Sequence, residues 1–163
     1  IWYGDEIGTC NDDSFLDDAT KAGDSRWVHR PRIDWERAER RRIRGTPEQR
    51  IFEGLKHLIA VRKTTSAFAD FNNRELIDVE NPHLFALLRT HPALQGDSVL
   101  VVANFDVNAQ FLDLEGLSKR GYFRLGQVQD LATGLSPALS NGQLEIPPGR
   151  FYWLTEHRAL AGF

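Results

Sequence analysis

Between Thr46 and Lys63, apolar residues recur at the spacing of one face of an α-helix. They fall at i, i+4, i+7 and i+8, which is the period of an amphipathic helix. Thr46 can cap the first turn, Pro47 suits the first helical position, and Gln49 completes a capping box. We therefore predict a helix over this segment. Its apolar stripe consists of Ile51, Leu55, Leu58 and Ile59.

From about Phe71 to the end of the chain, the pattern is one of short β-strands separated by turns. Turn-forming sequences such as Asn141-Gly142 interrupt the apolar runs, and several short strands at this spacing are typical of an antiparallel β-sandwich. The run Val99–Val102 is apolar throughout, which predicts the most buried strand. The predicted strands are Glu75–Val79, Leu84–Thr90, Ser98–Asn104, Gln110–Leu114, Tyr122–Leu125, Val128–Leu131, Leu144–Ile146 and Phe151–Thr155.

Aromatic residues in these strands bear on whether the β-rich region binds sugar. A sandwich that binds sugar is expected to expose aromatic rings on one face. Here the aromatic residues fit the strand patterns, so we predict that they lie in the core. The residues concerned are Phe85, Phe111, Phe123, Phe151 and Trp153.

The N-terminal part is a long polar loop that follows a predicted apolar strand, Ile1-Trp2-Tyr3, which ends at Gly4. The loop carries its acidic residues first, in Asn11–Asp18, and its arginines last, in Arg26–Arg32. In parallel α/β proteins, ligands bind at loops that leave the C-terminal ends of strands. Long ordered loops in compact domains are usually functional. The pattern therefore predicts a ligand-handling loop.

The segment Arg26–Arg32 is rich in groups that bind carboxylates and sugars. It holds three arginines, one histidine and one tryptophan within seven residues. Arginine presents a planar fork to carboxylates, and Trp27 offers a flat apolar face to a sugar ring. An arginine-rich surface loop with weak salt bridges explains these residues equally well.

The acidic segment Asn11–Asp18 does not follow the spacing of a helix-loop-helix calcium site. We interpret it as a solvated loop and assign no metal and no cofactor to the chain. The following segment Asp34–Arg44 mixes charges of both signs at helical spacing. It favours a short solvated helix over a nucleic-acid surface.

The composition limits which binding partners and which cellular compartment can be expected for the protein. The 163 residues suffice for a domain with a core, and a net charge of −3 gives no electrostatic basis for binding nucleic acid or an anionic membrane. No apolar run approaches the roughly 20 residues of a membrane span. Cys10 is the single cysteine, which excludes an intrachain disulfide and fits a reducing compartment such as the cytoplasm. Because the sequence starts inside an apolar strand without Met, we expect it to be the C-terminal part of a longer protein.

The polar loop resembles the loop after the eighth barrel strand in the α-amylase superfamily (glycoside hydrolase family 13). Gly4-Asp5-Glu6-Ile7-Gly8 is similar to a phrase that recurs across the superfamily. Gly54–Arg62 resembles the last barrel helix, and Pro147–Leu154 the last strand of the C-terminal domain. Asp24–Arg32, with the order Asp-Ser-Arg-Trp-Val-His-Arg-Pro-Arg, is narrower and resembles amylosucrases and sucrose hydrolases.

This resemblance implies an α+β chain that is the end of a (β/α)8 barrel followed by an all-β antiparallel sandwich. The barrel end would supply the last strand, a long loop and the last helix over residues 1–70. The sandwich domain would cover residues 71–163.

The resemblance also implies a retaining enzyme that cleaves sucrose and passes glucose to an α-glucan or to water. In the family, the catalytic carboxylates belong to barrel strands four, five and seven, all upstream of Ile1, so no catalytic residue is assigned here. Asp5 and Glu6 are adjacent, and on an extended strand they would point to opposite faces. Arg26 is the one substrate-binding residue carried over, as the arginine that pairs with an upstream aspartate at the floor of the glucose pocket.

The expected partners are therefore sucrose, an α-glucan and the barrel portion upstream of this chain, and the chain alone is expected to be inactive. The alternative is a non-catalytic β-sandwich module that binds carbohydrate or supports a partner protein. Whether transfer or hydrolysis dominates stays open at this point.

Overall fold

A computed structural model describes residues 3–91, 98–122, 124 and 128–156. It combines helices with antiparallel β-sheets, and the sheets lie in the second part of the chain. The α-helices are α1 (Trp35–Glu39), α2 (Pro47–Thr64) and α3 (Leu114–Lys119). Short 3-10 helices cover Asp5–Ile7, Asp13–Asp17, Ser25–His29, Arg40–Arg42 and Ser66–Phe68.

The chain divides into two compact units, Ile1–Ile59 and Ala60–Phe163. The division falls inside α2, whereas the resemblance implied a domain boundary at residues 70 and 71. That boundary concerns a complete barrel enzyme and stays a prediction. The two units are described in turn.

The first unit consists largely of short helical turns, three of which begin with an aspartate that caps the turn. The Asp12 carboxylate accepts a hydrogen bond from the backbone N–H of Ser14, at 2.9 Å. Asp24 and Asp34 play the same part at the starts of Ser25–His29 and α1. Because a short acceptor side chain satisfies an unpaired N–H at a helix start, these aspartates fix where each turn begins.

The predicted N-terminal strand is not seen where the structure can test it. Ile1 and Trp2 lie outside the described residues, and Tyr3 lies in a turn. Gly4 has a φ of 92°, and its N–H donates to the Glu6 carboxylate at 2.8 Å. The chain therefore folds back into the 3-10 helix Asp5–Ile7, so Asp5 and Glu6 lie in a helical turn and the strand geometry considered for them does not apply.

Helix α2 confirms the prediction made from the capping signals. Pro47 is its first residue, and the Thr46 hydroxyl accepts a hydrogen bond from the Gln49 N–H at 3.2 Å. The Gln49 side chain accepts from the Gly45 N–H, at 3.3 Å, and not from that of Thr46. The capping box thus closes one residue earlier than its usual form.

The apolar stripe of α2 is only partly covered by the described part of the chain. Ile51 and Ile59 remain 37% and 40% exposed, and the one buried residue of the helix is Glu48. A surface helix normally buries its apolar stripe against a core. Ile51 lies against Gly8, and Leu55 and Leu58 are half-buried, so the stripe is covered only in part.

Glu48 joins α2 to the preceding loop. Its Oε1 accepts from Arg37 Nε at 2.9 Å, and its Oε2 lies 3.5 Å from Arg40 Nε. The Arg37 Nη2 also donates to the Gly8 carbonyl, at 2.9 Å. The carboxylate is 3% exposed, so this ion pair is shielded on its acidic side and ties α1, α2 and the Gly4–Gly8 turn together.

The second unit contains two antiparallel sheets. A five-stranded sheet has the order β1-β2-β3-β8-β5, and a three-stranded sheet has the order β4-β7-β6. Side chains from both sheets form one core cluster, among them Leu100, Val102, Leu112, Leu144, Ile146 and Leu154. The strands are β1 (Arg74–Leu76), β2 (Leu84–Thr90), β3 (Ser98–Asn104), β4 (Gln110–Asp113), β5 (Val128–Asp130), β6 (Leu139–Ser140), β7 (Gln143–Ile146) and β8 (Phe151–Glu156).

Most strand predictions are confirmed, and the departures have local causes. β3 is the central strand of its sheet, and Leu100 and Val102 are fully buried, as the apolar run predicted. The strand predicted to end at Leu114 ends at Asp113, because the Asp113 carboxylate accepts from the Gly116 N–H and starts α3. The predicted strand Tyr122–Leu125 lies partly outside the described residues, and Tyr122 itself lies at a bend.

The prediction that the strand aromatics lie in the core was wrong. Phe85, Phe111 and Phe151 are 41%, 54% and 40% exposed, whereas Trp153 is half-buried; Phe123 lies outside the described residues. The cause is the alternation of the strands. In β2 the aliphatic Leu84, Ala86 and Leu88 fill the core, so Phe85 points to the other face.

Within the described ranges, no helix has the length and apolar character needed to cross a membrane.

Candidate functional site

Two loop segments of the first unit are held side by side. The Asp12 N–H donates to the Val28 carbonyl at 3.0 Å, which joins the acidic segment to the 3-10 helix Ser25–His29. His29 Nδ1 lies 3.1 Å from Asn11 Oδ1 and adds a side-chain contact to this junction. The acidic and arginine-rich parts of the loop, which are separate in sequence, therefore form one structure.

These segments enclose a pocket of about 410 Å³. Its size falls in the range of roughly 300–1,000 Å³ that is usual for small-molecule sites. The Tyr3 hydroxyl donates to the Pro31 carbonyl at 3.3 Å and joins the two ends of the pocket wall. The lining residues are Tyr3, Asp5, Thr9, Cys10, Asn11, Arg26, His29, Arg30 and Pro31.

Arg26 lies on the wall of this pocket, and its guanidinium is held by Asp24. Arg26 Nε donates to Asp24 Oδ1 at 2.8 Å, and Nη2 donates to Oδ2 at 2.7 Å. The Arg26 backbone N–H also donates to Asp24 Oδ1, at 3.0 Å. The Arg26 side chain is 73% exposed. The predicted pairing of Arg26 with a carboxylate from elsewhere stays a prediction, because Asp24 is its partner in this structure.

The contact with Arg26 shifts the titration of Asp24. Hydrogen bonds from the Arg26 side chain and N–H lower the pKa of Asp24 to about 2. Because this pKa lies below the unfolded value of about 3.9, the stabilising effect of the pair is present above pH 3.9. It is lost as the pH falls through about 2.

We expect a carboxyl NMR titration of Asp24 to show a midpoint near pH 2, well below that of an unpaired aspartate. In an Arg26→Ala variant the midpoint should rise towards about 3.9, because the guanidinium that favours the ionised form is gone. Asp18 is a suitable internal reference, because its pKa is lowered to about 2 by Lys21 and Thr20, whose contacts Arg26→Ala leaves in place. Equal titration of Asp24 in both proteins would contradict the paired geometry.

Trp27 does not present two free faces to a ligand. The Lys21 ammonium lies 5.3 Å from the centre of the Trp27 ring, within the range of a cation–π contact. Lys21 is itself paired with Asp18 at 2.7 Å. The apolar face that the sequence predicted for a sugar ring is thus in contact with a cation.

Several pocket residues were not identified from sequence. Tyr3 was assigned to a strand and Asn11 to a solvated loop, and Thr9 carried no signal. They meet because Gly4 and Gly8 both have positive φ, at 92° and 65°, which turns the chain back on itself. The two glycines four residues apart were the available signal of this turn.

The described residues contain no group of three or more His, Cys, Asp or Glu side chains placed to hold a metal ion.

Comparison with known proteins identifies the fold. No protein-family model matches the chain. An AmyP variant solved with maltotriose is 18% identical, with a TM-score of 0.55, over 68% of this chain and 21% of that protein. A pullulanase variant from Paenibacillus barengoltzii with maltotetraose is 21% identical, with a TM-score of 0.54, over 77% and 18%. A pullulanase from Anoxybacillus with maltotetraose is 16% identical, with a TM-score of 0.52, over 77% and 17%.

Over the matched 68–77% of its length, this chain shares the fold of a portion of these enzymes. At this level of identity the likeness is one of fold. The matched region spans about a fifth of the length of these enzymes.

Proposed function

We propose that this chain is the C-terminal part of an amylosucrase-like enzyme, which cleaves sucrose and transfers glucose to an α-glucan or to water. In this proposal, residues 1–70 complete a (β/α)8 barrel and residues 71–163 form its sandwich domain. The catalytic carboxylates come from the preceding barrel strands, and this chain supplies one wall of the substrate pocket.

The observation that carries the proposal is the position of Arg26 on the wall of a pocket of ligand size. The sequence around Arg26 is the part that resembles the sucrose-using enzymes, and the chain has the fold of a portion of the superfamily. The partly exposed stripe of α2 also supports the proposal, because in a complete barrel this face of the helix would pack against the barrel strands.

In the proposed site, Arg26 can contact two carboxylates at once. A guanidinium has five N–H donors. Asp24 engages Nε and one donor of Nη2, so the edge formed by Nη1 and Nη2 can pair with a second carboxylate from the barrel. Asp24 would then fix the orientation of the fork that shapes the pocket.

We expect the chain alone to release no fructose from sucrose above background, because a retaining glycosidase needs two carboxylic groups flanking the scissile bond. A longer polypeptide that supplies the barrel strands should release fructose and either extend an α-glucan or release glucose. Purified chain and longer polypeptide are compared by a fructose assay at equal molar concentration. Release of fructose by the chain at an ordinary enzyme rate, or none by a folded longer polypeptide, would contradict the proposal.

The alternative of a carbohydrate-binding module gains support from one observation. Phe85 and Phe151, which the sequence had predicted to be buried, are exposed on the five-stranded sheet, and the exposed Phe105 follows directly after β3. That surface is a separate site and is considered below.

A further inference from the structure

The outer face of the five-stranded sheet carries an aromatic patch, which we define as Phe85, Phe105 and Phe151 around Ala103. In register, Phe85 of β2 lies opposite Ala103 of β3, and Ala103 lies opposite Phe151 of β8. The backbone N–H of Phe105 donates to the His83 carbonyl at 3.1 Å, which extends the same register past the end of β3. Paired residues in antiparallel strands point to the same face. The three rings therefore surround the small side chain of Ala103.

The rings of the aromatic patch are exposed. The exposed fractions are 41% for Phe85, 79% for Phe105 and 40% for Phe151. The opposite end of this face is occupied, since Phe68 packs edge-on against Trp153 with ring centres 5.0 Å apart. Trp153 in turn lies 6.1 Å from Phe151. The aromatic patch thus continues the row formed by Phe68 and Trp153, but its own rings are not covered by the described residues.

The size of the aromatic patch favours a small ligand over a protein partner. The three rings expose on the order of 300 Å², whereas a stable protein interface buries about 800 Å² on each partner. A second copy of this chain seated on the patch alone would bury too little apolar surface. The rings would cover one or two faces of a small ring-shaped ligand.

Polar groups at the rim of the patch limit the ligand chemistry. His83 Nδ1 lies 2.6 Å from Asp106 Oδ2, and the His83 side chain is 52% exposed. Asp106 is held by the Asn108 N–H, so the pair is fixed beside Phe105. A ligand with apolar flat faces and hydroxyl groups around its edge satisfies both the rings and this rim.

We propose that the aromatic patch is a second carbohydrate-binding surface, which takes the glucose rings of an α-linked glucan separately from the Arg26 pocket. A pyranose ring has C–H groups on its faces and hydroxyls on its edge, which is the chemistry that the patch and its rim match. The choice of an α-linked glucan rests on the proposed function. The proposal that this surface binds a ligand is supported by the strand register and the exposure of the three rings.

The test is a titration of the chain with maltoheptaose, in which binding is monitored through the backbone amide signals by NMR. We expect chemical-shift changes confined to β2, β3 and β8 around Ala103, with binding in the millimolar range or tighter. Phe105→Ala should weaken the affinity about tenfold, because an exposed ring can be removed without opening the core. Ala103→Glu, which places a charge between the rings, should abolish binding.

The matched control is Phe71→Ala, which removes a ring that is 68% exposed and lies outside the patch. It should leave the affinity for maltoheptaose unchanged. Equal loss of affinity in Phe71→Ala and Phe105→Ala, or no binding of maltoheptaose to the folded chain, would overturn the inference. Self-association of the chain that Phe105→Ala abolishes would also overturn it, because the patch would then be an interface between copies.

This experiment involves no catalysis, so its failure is separate from that of the proposed function. If a longer polypeptide cleaves sucrose but the aromatic patch binds no glucan, only the inference about the patch is contradicted. If the aromatic patch binds maltoheptaose but the longer polypeptide does not cleave sucrose, only the proposed function is contradicted.

Discussion

Arg26→Ala is expected to lower the kcat/KM for sucrose cleavage by the complete enzyme about 100-fold or more. In the proposed site, the Arg26 fork pairs with a buried carboxylate at the floor of the glucose pocket. Removing one partner of such a pair leaves the other charge buried without compensation. Arg26→Lys should lose most of the activity as well, because an ammonium group keeps the charge but not the planar two-point contact.

The control is Arg44→Ala, which removes an exposed arginine outside the Arg26 pocket. Its kcat/KM should stay within about twofold of the parent value, as for most surface substitutions. Steady-state fructose release is measured for the three variants after each has been checked for folding by circular dichroism. If Arg26→Ala retains parental activity, Arg26 is a surface arginine paired with Asp24, and the resemblance to sucrose-using enzymes loses its functional meaning.

Glu48→Gln is expected to lower the Tm of the chain by about 2–5 °C, because the pair is shielded on its acidic side while both arginines remain partly exposed. The glutamine has nearly the same shape, but it leaves Arg37 and Arg40 without the carboxylate that both now contact. The pKa of Glu48 is lowered, chiefly by the backbone N–H at the helix start and then by Arg37. The stabilising effect is therefore present above the unfolded pKa and is lost as the pH falls through the folded one.

Thermal unfolding is followed by circular dichroism at pH 7 and again at low pH. Glu53→Gln serves as the control on the same helix, because Glu53 forms an exposed pair with Lys56 and should shift the Tm by about 1 °C at most. The difference between Glu48→Gln and the parent should shrink in acid, where the carboxylate is protonated. A Glu48→Gln variant as stable as Glu53→Gln at pH 7 would show that the buried pair contributes nothing.

The sequence predicted those parts of the fold that depend on local chemistry. The start of α2 followed from Thr46 and Pro47, whose effects are complete within one turn of helix. The strand Ser98–Asn104 followed from an unbroken apolar run, and it is the central strand of its sheet. In each case the residues that fix the element lie within it.

The sequence failed where the outcome depended on which of two faces becomes the core. Phe85 and Leu84 are both apolar, and their order in the strand does not tell which one points inward. The core is filled by Leu84, Ala86 and Leu88 because these pack with the smaller sheet, and Phe85 is left outside. Which face of the strand becomes the core is decided by its register with a strand distant in sequence, and the local sequence pattern does not indicate that register.

The candidate site was predicted only in part, because some of its residues are brought together by contacts between distant parts of the chain. Arg26 was singled out through its neighbours in sequence, and it does lie on the pocket wall. Tyr3 and Asn11 come to the same pocket through the turn at Gly4 and Gly8 and through the contact of Asn11 with His29. The turn is local and was signalled by its two glycines, but the Asn11–His29 contact joins residues 18 positions apart, which the local sequence pattern does not report.

The aspartates that begin the helical turns of the loop allow its charge and its shape to vary independently. At Asp12 and Asp34 the structure uses one acceptor oxygen at the end of a short side chain, a requirement that asparagine or serine also meets. Glutamate keeps the charge but is one carbon longer, so it is the poorer substitute. Asp24 differs, because its second oxygen holds Arg26. A loop of the same shape can therefore carry two fewer negative charges, provided that the acid before Ser25 is kept.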